Sequence, residues 1–205
     1  MSKLQSKRPY HHGNLSTELV EQGIKLLEEE GLEALTLRRV AKEAGVSPAA
    51  PYSHFKGKKA LMTAVAKEGY LRFERKLQQG AENDEDYVVG LGLGYVQFAL
   101  ENPALFEIMF SRELVEMIEF DASGKSFGSS YQLLVRTMQR NPLEQFGSEY
   151  QILDTVFVWS LVHGVAKLLL ADRLTPTNYA CEDADGLVRK MLVKYLTPFK
   201  RGDEL

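Results

Sequence analysis

A break of only three residues between two helical segments constrains this fold more than any other sequence feature. Residues 36–44 begin with a threonine suited to an N-cap, carry apolar residues at helical spacing and end before a glycine. Residues 45–47 alone separate this segment from the next helix, which Ser47 caps, Pro48 opens and Phe55 ends. This spacing predicts a helix-turn-helix, although a helical hairpin in any bundle has the same spacing.

The rest of the chain predicts further helices. The segment 88–96 alternates apolar residues with glycine as a strand would, but a single strand would lack a pairing partner, so we expect a helix. The other predicted helices run from after Asn14 to Gly31, from Lys58 to about Gln79, over about 149–171 and 185–196, and from the proline-containing pairs at 102–103, 141–142 and 175–176. We therefore predict an all-α protein with two domains, residues 1–61 and residues 62–205.

The two predicted domains differ in charge. Residues 1–61 carry ten Lys and Arg against seven Asp and Glu, whereas residues 62–205 carry 15 against 21. The positive excess at one end favours a polyanionic partner there. The single cysteine, Cys181, excludes a disulfide framework and a thiolate metal cluster, and it is typical of a cytoplasmic protein.

The most apolar stretch of the chain, residues 152–170, contains Asp154, His163 and Lys167. Because membrane spans are almost free of charge, we expect this stretch to be a buried helix and the protein to have no membrane segment. The sequence also lacks a nucleophile–base motif, paired catalytic carboxylates, a phosphate-binding glycine loop and a zinc signature. These features argue against an enzyme and predict neither a cofactor nor a metal.

The segment after the three-residue break has the composition of a surface that approaches another molecule closely. In a helix capped by Ser47, Pro51 would remove the first intrahelical hydrogen bond and so lower the stability of the helix. The small residues at 48–51 would instead form a thin, rigid surface. In helix-turn-helix proteins this region faces base edges in the major groove, where thymine methyl groups accept apolar contact.

Positive charge at two predicted helix starts supports a phosphate partner. Lys58 and Lys59 open one helix and Arg38 and Arg39 another, against the helix dipole in both cases. A phosphate reverses the sign of this effect, because the free N–H groups, the dipole and the cations then all attract it. A solvated surface would explain each residue alone, but their combination within one short region favours DNA.

The sequence LTLRRVAKEAGVSPAAPYSHFKGKKAL, residues 35–61, resembles the DNA-binding domain of the TetR/AcrR family of bacterial transcriptional regulators. The family pattern is T-x-R-x-[VI]-A-x-x-A-G-V-S, then Y-x-H-F and a lysine at the head of the next helix, and the match spans residues 14–61. RPYHHGNL (8–15) and WSLVHG (159–164) resemble the subgroup whose C-terminal domain carries a Trp…His-Gly motif. The resemblance implies that residues 62–205 form a helical domain that dimerises through its last two long helices and often encloses a ligand pocket.

The resemblance also implies which residues meet DNA. The implied contacts are Thr36, Arg38, Pro48, Ala49, Ala50, Tyr52, Ser53, His54 and Lys58. The phosphate-contacting positions of the family match Thr36, Arg38, Tyr52, His54 and Lys58. Its base-reading positions match residues 48–53. Lys59 stands where an acidic residue is usual and would raise phosphate affinity, whereas Pro51 replaces a usual aliphatic residue.

His11 and His12, next to each other in the chain, lie in a polar N-terminal arm. We expect this arm near DNA rather than on a metal.

Trp159 and His163 lie one helical turn apart in the most apolar stretch and allow two interpretations. In the first, they are the polar anchors of a pocket for a small apolar effector. The walls of that pocket would be Tyr95, Phe98, Phe106, Met109 and Phe110. In the second, His163 is a satisfied core histidine and Gly164 marks a close helix crossing. A metal site is disfavoured because no second ligand has helical spacing to His163.

These features predict a cytoplasmic, homodimeric transcriptional regulator, most simply a repressor. It would bind double-stranded DNA at a pseudo-palindromic operator, with its two recognition helices about 34 Å apart, and a small apolar effector would release it. One alternative is a helix-turn-helix regulator without a small ligand, controlled by a protein partner or by concentration. An all-helical enzyme is the least favoured alternative.

Overall fold

The computed structural model describes residues 15–111 and 147–201, and these residues form helices and no strand. The α-helices are α1 (Leu15–Glu30), α2 (Leu37–Glu43), α3 (Lys58–Glu82), α4 (Tyr87–Glu101), α5 (Pro103–Met109), α6 (Gly147–Leu170) and α7 (Ala184–Arg201), and two 3₁₀ helices span Ala50–Ser53 and Pro176–Tyr179. The all-α prediction is therefore confirmed. The predicted arm at 1–13, the N-cap at Asn14 and the helix start at 141–142 lie outside the described residues.

The chain divides into two compact units, Met1–Val65 and Ala66–Leu205. In the first unit, α1 and α2 bury one apolar face each, with Leu19, Leu27 and Val40 almost inaccessible to solvent. The apolar spacing seen in the sequence therefore builds this core, because residues one turn apart share a helix face.

Glycines end both of the first two helices in the way that the sequence predicts. Gly31 has a φ of +81° after α1 and Gly45 a φ of +67° after α2, a backbone conformation that side chains with a Cβ rarely adopt. After α2, Gly45 N–H donates to the Lys42 carbonyl and Val46 N–H to the Ala41 carbonyl, at 3.1 and 2.9 Å. This pair of bonds is a Schellman motif, which turns the chain sharply toward the next element.

The helix predicted to run from Ser47 to Phe55 is shorter and tighter than expected. It is a four-residue 3₁₀ helix, Ala50–Ser53, whose N-cap is Ala49 and not Ser47. Pro51 is buried in this helix, so the predicted surface of small residues at 48–51 does not include it. Pro48 and Ala49 are exposed as predicted, and Ala50 is half-buried.

In the second unit, α3 and α4 approach each other through glycine. A Cβ added to Gly90 would lie 2.3 Å from the Gly80 carbonyl oxygen, and one added to Gly94 would lie 2.6 Å from the Lys76 carbonyl oxygen. The alternating segment 88–96 is therefore helical, and its glycines let two backbones touch. By contrast, a Cβ on Gly164 would meet no atom of residues 15–111 and 147–201 within 4 Å, so the expected close helix crossing at Gly164 does not occur among these residues.

Helix α6 is mostly not buried within the chain, contrary to the prediction for residues 152–170. Only 28% of its window Leu153–Leu170 is buried. Leu153, Val156, Phe157 and Leu168 expose 61%, 41%, 47% and 46% of their surface, respectively. The window is long and apolar enough for a membrane span by length and composition, a test that helices packed inside soluble proteins also pass. Its exposed apolar side chains need a covering partner.

Candidate nucleic-acid interface and effector site

The start of α2 is held by a side-chain cap. Thr36 has an extended backbone, and its hydroxyl accepts the Arg39 N–H at 3.2 Å, as expected of an N-cap. Arg38 is exposed at the first turn of the helix. Arg39, which the sequence suggests as a second phosphate-binding cation, instead pairs with Glu30 at 2.6 Å and lies 3.9 Å from Glu43. Arg39 therefore ties α2 to the end of α1, and Arg38 is left as the outward cation.

The 3₁₀ helix presents three consecutive polar side chains to solvent. Tyr52 exposes 62% of its surface, and Ser53 and His54 are also exposed. The Ser53 hydroxyl donates to the Ala50 carbonyl at 2.7 Å, which leaves its oxygen lone pairs available as acceptors. This segment can therefore offer a phenol, a hydroxyl acceptor and an imidazole to one surface, while Phe55 anchors its end in the core.

Two lysines, Lys58 and Lys59, begin α3. Gly57 precedes the helix with a φ of +145°, and its carbonyl accepts the Leu61 N–H at 3.2 Å. Lys58 is half-buried and Lys59 exposed, and within the described residues neither ammonium group has an ion-pair partner. The first N–H groups of the helix and both cations are thus free to meet an anion.

The residues predicted to form an effector pocket lie together in the second unit. The ring centroid of Tyr95 lies 5.8 Å from that of Phe106, and Phe106 lies 4.8 Å from Phe110. His163 packs against both phenylalanines, with centroid distances of 5.5 Å to Phe106 and 5.0 Å to Phe110. Phe98 and Met109 belong to the buried core of the same unit. The sequence therefore identified one spatial cluster, from α4, α5 and α6.

The two predicted polar anchors meet at one hydroxyl group. The Trp159 indole N–H donates to the Tyr95 hydroxyl at 3.3 Å, and that hydroxyl lies 2.8 Å from Nδ1 of His163. Because the indole can only donate, the simplest satisfied arrangement has the tyrosine O–H donate to Nδ1 of a neutral imidazole. Burial, then the nearby charge of Lys167, lowers the pKa of His163, against a smaller opposing effect of Glu107, and therefore favours the neutral form. The polar groups of Trp159, Tyr95 and His163 satisfy one another in this state.

The sequence patterns do not indicate two residues that complete this aromatic cluster, Phe73 and Tyr70. Phe73 packs on Tyr95 with a centroid distance of 4.9 Å and an interplanar angle of 80°. The Tyr70 hydroxyl donates to the Met109 carbonyl at 2.5 Å, and burial raises the pKa of Tyr70. Both residues lie on α3, so this helix contributes to the aromatic core of the second unit as well as carrying Lys58 at its start.

An open polar cavity of about 240 Å³ lies elsewhere in the second unit. Arg189 on α7 donates to Asp84 at 2.5 Å, and Gln97 on α4 donates to Asp185 at 2.6 Å across it. The hydrogen bond from Arg189 lowers the pKa of Asp84. These contacts join residues far apart in sequence, which explains why no local motif indicated them.

Two family models match most of the chain. The model described as "Bacterial regulatory proteins, tetR family" matches residues 19–65, and the model "Tetracyclin repressor-like, C-terminal domain" matches residues 88–195. The first match covers the helix-turn-helix and the second covers more than half of the chain. Together they include every residue that we assign to DNA or effector contact.

Individual relatives agree with the family models. The class G tetracycline repressor of Vibrio anguillarum is 38% identical over 73 residues, which are 36% of this chain and 34% of that protein. The chain spans about half the length, or less, of the curated relatives it matches. A protein of unknown function from Rhodococcus sp. RHA1 has a TM-score of 0.71 and 28% identity over 96% of this chain and 98% of its own. A TetR variant from Acinetobacter baumannii AYE in complex with minocycline has a TM-score of 0.59 and 20% identity, covering 96% and 100% of the two chains.

Proposed function

The chain belongs to the TetR family of bacterial regulatory proteins, and we propose that it is a cytoplasmic, dimeric repressor that a small apolar effector releases from a pseudo-palindromic DNA operator. Members of this family are DNA-binding transcriptional regulators rather than enzymes. The observation that carries the proposal is the exposed surface of the first unit, where Tyr52 and His54 precede the two free lysines of α3.

DNA binding combines two kinds of contact. Lys58, Arg38 and the free N–H groups at the start of α3 bind phosphates, which positions the protein on the duplex without reading sequence. The exposed residues of the segment 48–53 lie against base edges, where Pro48 and Ala49 contact apolar groups and Tyr52 and Ser53 exchange hydrogen bonds. Because each phosphate contact releases a counterion, the affinity falls steeply with salt.

Removal of the Lys58 ammonium group tests this arrangement. Lys58→Ala should weaken binding to all DNA sequences alike and reduce the slope of log affinity against log salt by about one for each phosphate that the lysine neutralises. Lys25→Ala is the matched control, because it removes an equal charge from α1 in the same unit, where Lys25 is 63% exposed and lies 3.9 Å from Glu29. The affinity is measured by fluorescence anisotropy with a labelled duplex at several salt concentrations. An unchanged slope for Lys58→Ala, or equal changes in both variants, would refute the phosphate contact.

Dimerisation is supported by the uncovered apolar surface of α6 and α7. Leu153, Phe157 and Leu168 share one face of α6, and α7 adds Val193, which is 45% exposed. A second copy of the chain can cover this surface with the same surface of its own, as a two-fold symmetric interface requires. Two first units in one assembly then reach two operator half-sites.

Effector release is supported by the aromatic cluster around His163 and by the complex of the Acinetobacter protein with minocycline. In the proposed mechanism, a ligand enters beside Trp159 and His163 and replaces part of their hydrogen bonding. The displacement reaches α3 through Phe73, which packs on Tyr95. Since α3 also carries Lys58, its movement would change the distance between the two DNA-contacting surfaces of the dimer and lower the affinity.

One observation favours a second candidate, a regulator of the same family without a small effector. The Trp159 indole N–H, the Tyr95 hydroxyl and Nδ1 of His163 already have partners within the cluster. Control would then come from a protein partner or from concentration. A screen of apolar compounds for release of bound DNA separates the two candidates, because only the first has an effector.

A further inference from the structure

Only two side chains of the DNA-contacting segment point into the core. Across residues 48–55, Pro51 and Phe55 are buried, whereas Pro48, Ala49 and residues 52–54 are exposed. The 3₁₀ helix packs against α2, the first helix of the helix-turn-helix. The buried proline therefore sits directly before the exposed residues and connects their backbone to the core.

The backbone around Pro51 is bonded at nearly every step. Ala50 N–H donates to the Ser47 carbonyl and Tyr52 N–H to the Ala49 carbonyl, at 3.0 and 3.2 Å. The Pro51 carbonyl accepts two bonds, from the N–H groups of His54 at 3.0 Å and Phe55 at 2.9 Å. A single residue thus terminates the segment by accepting from both residues that follow the 3₁₀ helix.

The missing N–H of Pro51 leaves one gap in a run of i→i−3 bonds. Its neighbours Ala50 and Tyr52 donate to the Ser47 and Ala49 carbonyls, whereas the Pro48 carbonyl receives no N–H from Pro51, the second residue of the 3₁₀ helix. The ring also fixes φ near about −65°, a value that suits this helix. The proline therefore restricts the segment at the cost of one i→i−3 bond, while the bonds on either side of it remain.

We propose that Pro51 is a positioning residue for sequence discrimination, holding the base-contacting residues Tyr52 and Ser53 in the orientation that reads the operator, although it does not touch DNA itself. The inference rests on the proposed DNA-contacting role of this segment. Preorganised groups lose less freedom on binding, and correctly placed groups distinguish one base pair from another. Loss of the restriction should therefore reduce the preference for the operator over other DNA, while phosphate-driven binding to unrelated DNA is kept.

The experiment uses the full chain and three variants. Pro51→Ala removes both the buried ring and the φ restriction, whereas Pro51→Val keeps an apolar side chain of similar size and removes the restriction. Both variants regain one backbone N–H, so their comparison isolates the buried side chain. Pro103→Ala is the control, because Pro103 is an exposed proline in the first turn of α5 in the second unit. The probes are a duplex selected from random DNA by the parent protein, its single-base-pair variants and an unrelated duplex, all at one salt concentration.

Both Pro51 variants should lower the ratio of operator affinity to unrelated-DNA affinity about two- to fivefold, the range that the restriction of one residue is worth. The penalties for single mismatches should shrink in parallel, and affinity for the unrelated duplex should stay within error of the parent. Pro103→Ala should change neither quantity. Measurements are made below the melting temperature of each variant, determined by circular dichroism, and Pro51→Val provides the test if Pro51→Ala does not fold.

Parent-like ratios and mismatch penalties in folded Pro51 variants would overturn the inference, even if their melting temperatures fall, because Pro51 would then serve stability alone. Parent-like discrimination by Pro51→Val with a loss in Pro51→Ala would also overturn it, since packing rather than restriction would matter. If Lys58→Ala changes the salt slope while the Pro51 variants keep full discrimination, the proposed function stands and only this inference fails. If the parent selects no sequence from random DNA, both fail.

Discussion

The crossing of α3 and α4 makes a sharp prediction for Gly90→Ala. The added Cβ would lie 2.3 Å from the Gly80 carbonyl oxygen and 2.7 Å from Cβ of Asp84. Close carbon–oxygen contacts between backbones are about 3.3 to 3.6 Å, so the two helices must separate by about 1 Å. Because helix backbone cannot rotate out of the way, we expect a cost near the upper end of the roughly 1 to 3 kcal/mol typical of overpacking.

Alanine also has a higher helix propensity than glycine, which offsets about 1 kcal/mol of this cost. The net loss in the free energy of unfolding should therefore be about 2 kcal/mol, or about 4 to 8 °C in melting temperature for a chain of this size. Thermal and urea unfolding of parent and variant are followed by circular dichroism at one chain concentration, since the proposed dimerisation would make the midpoint concentration-dependent.

Gly164→Ala is the matched control, because it makes the same change inside α6 where no described atom lies within 4 Å of the new Cβ. Helix propensity alone predicts a gain of up to about 1 kcal/mol for this variant. If Gly90→Ala is as stable as the parent, or gains as much as the control, the backbone crossing at Gly90 is not as tight as described. A loss in Gly164→Ala that grows with dilution would instead locate Gly164 in the dimer interface.

Three further perturbations test the other assignments. His163→Phe should keep the fold and operator binding but abolish release by any effector found for the parent. The variant should lose about 1 to 3 kcal/mol of stability because the Tyr95 hydroxyl loses its acceptor. Release that persists in a DNA-binding assay would contradict the role of His163 as the polar anchor of the effector. Arg189→Met should lower the free energy of unfolding at pH 7 by about 0.2 to 1 kcal/mol, since the Asp84 carboxylate loses its charged donor but Arg189 is half exposed and its charge is screened by solvent. The pKa of Asp84 is depressed in the fold, so the difference in free energy of unfolding between parent and variant should be complete above about pH 5 and vanish as the pH falls through that depressed pKa. A difference that does not depend on pH would refute the ion pair. Phe157→Arg should make the protein monomeric at concentrations where light scattering finds the parent dimeric, because a charge enters the apolar face of α6; an unchanged dimer would place the interface elsewhere.

Local signals are sufficient for the ends of the helices. Thr36 caps α2 as predicted, and Gly31 and Gly45 end α1 and α2 with positive φ. Each of these features depends on residues within one helical turn, so the sequence contains all the information needed. The proposed DNA-contacting surface depends on local signals as well, since Tyr52 and Lys58 lie close together along the chain.

Sequence patterns fail where the outcome depends on distant residues. An α-helix beginning at Pro48 would put Pro51 on the surface, whereas packing on α2 selects a shorter 3₁₀ helix in which Pro51 is buried. Helix propensity does not report which glycine meets another helix, and among the described residues Gly90 does so and Gly164 does not. The pair of Asp84 and Arg189 is separated by 105 positions, which no local pattern can detect.

The hydrogen bond between Trp159 and Tyr95 gives the protein an intrinsic spectroscopic label. Trp159 is the only tryptophan of the chain, so its indole emission reports on one position, without any engineered fluorophore. The indole is half-buried, and its N–H is bonded to the hydroxyl that also meets His163. Emission wavelength and lifetime therefore respond to any event that breaks this bond, and titrations with DNA and with candidate effectors can be followed at the same residue. A shift on adding an effector but not on adding DNA would separate rearrangement of the cluster from occupation of the helix-turn-helix.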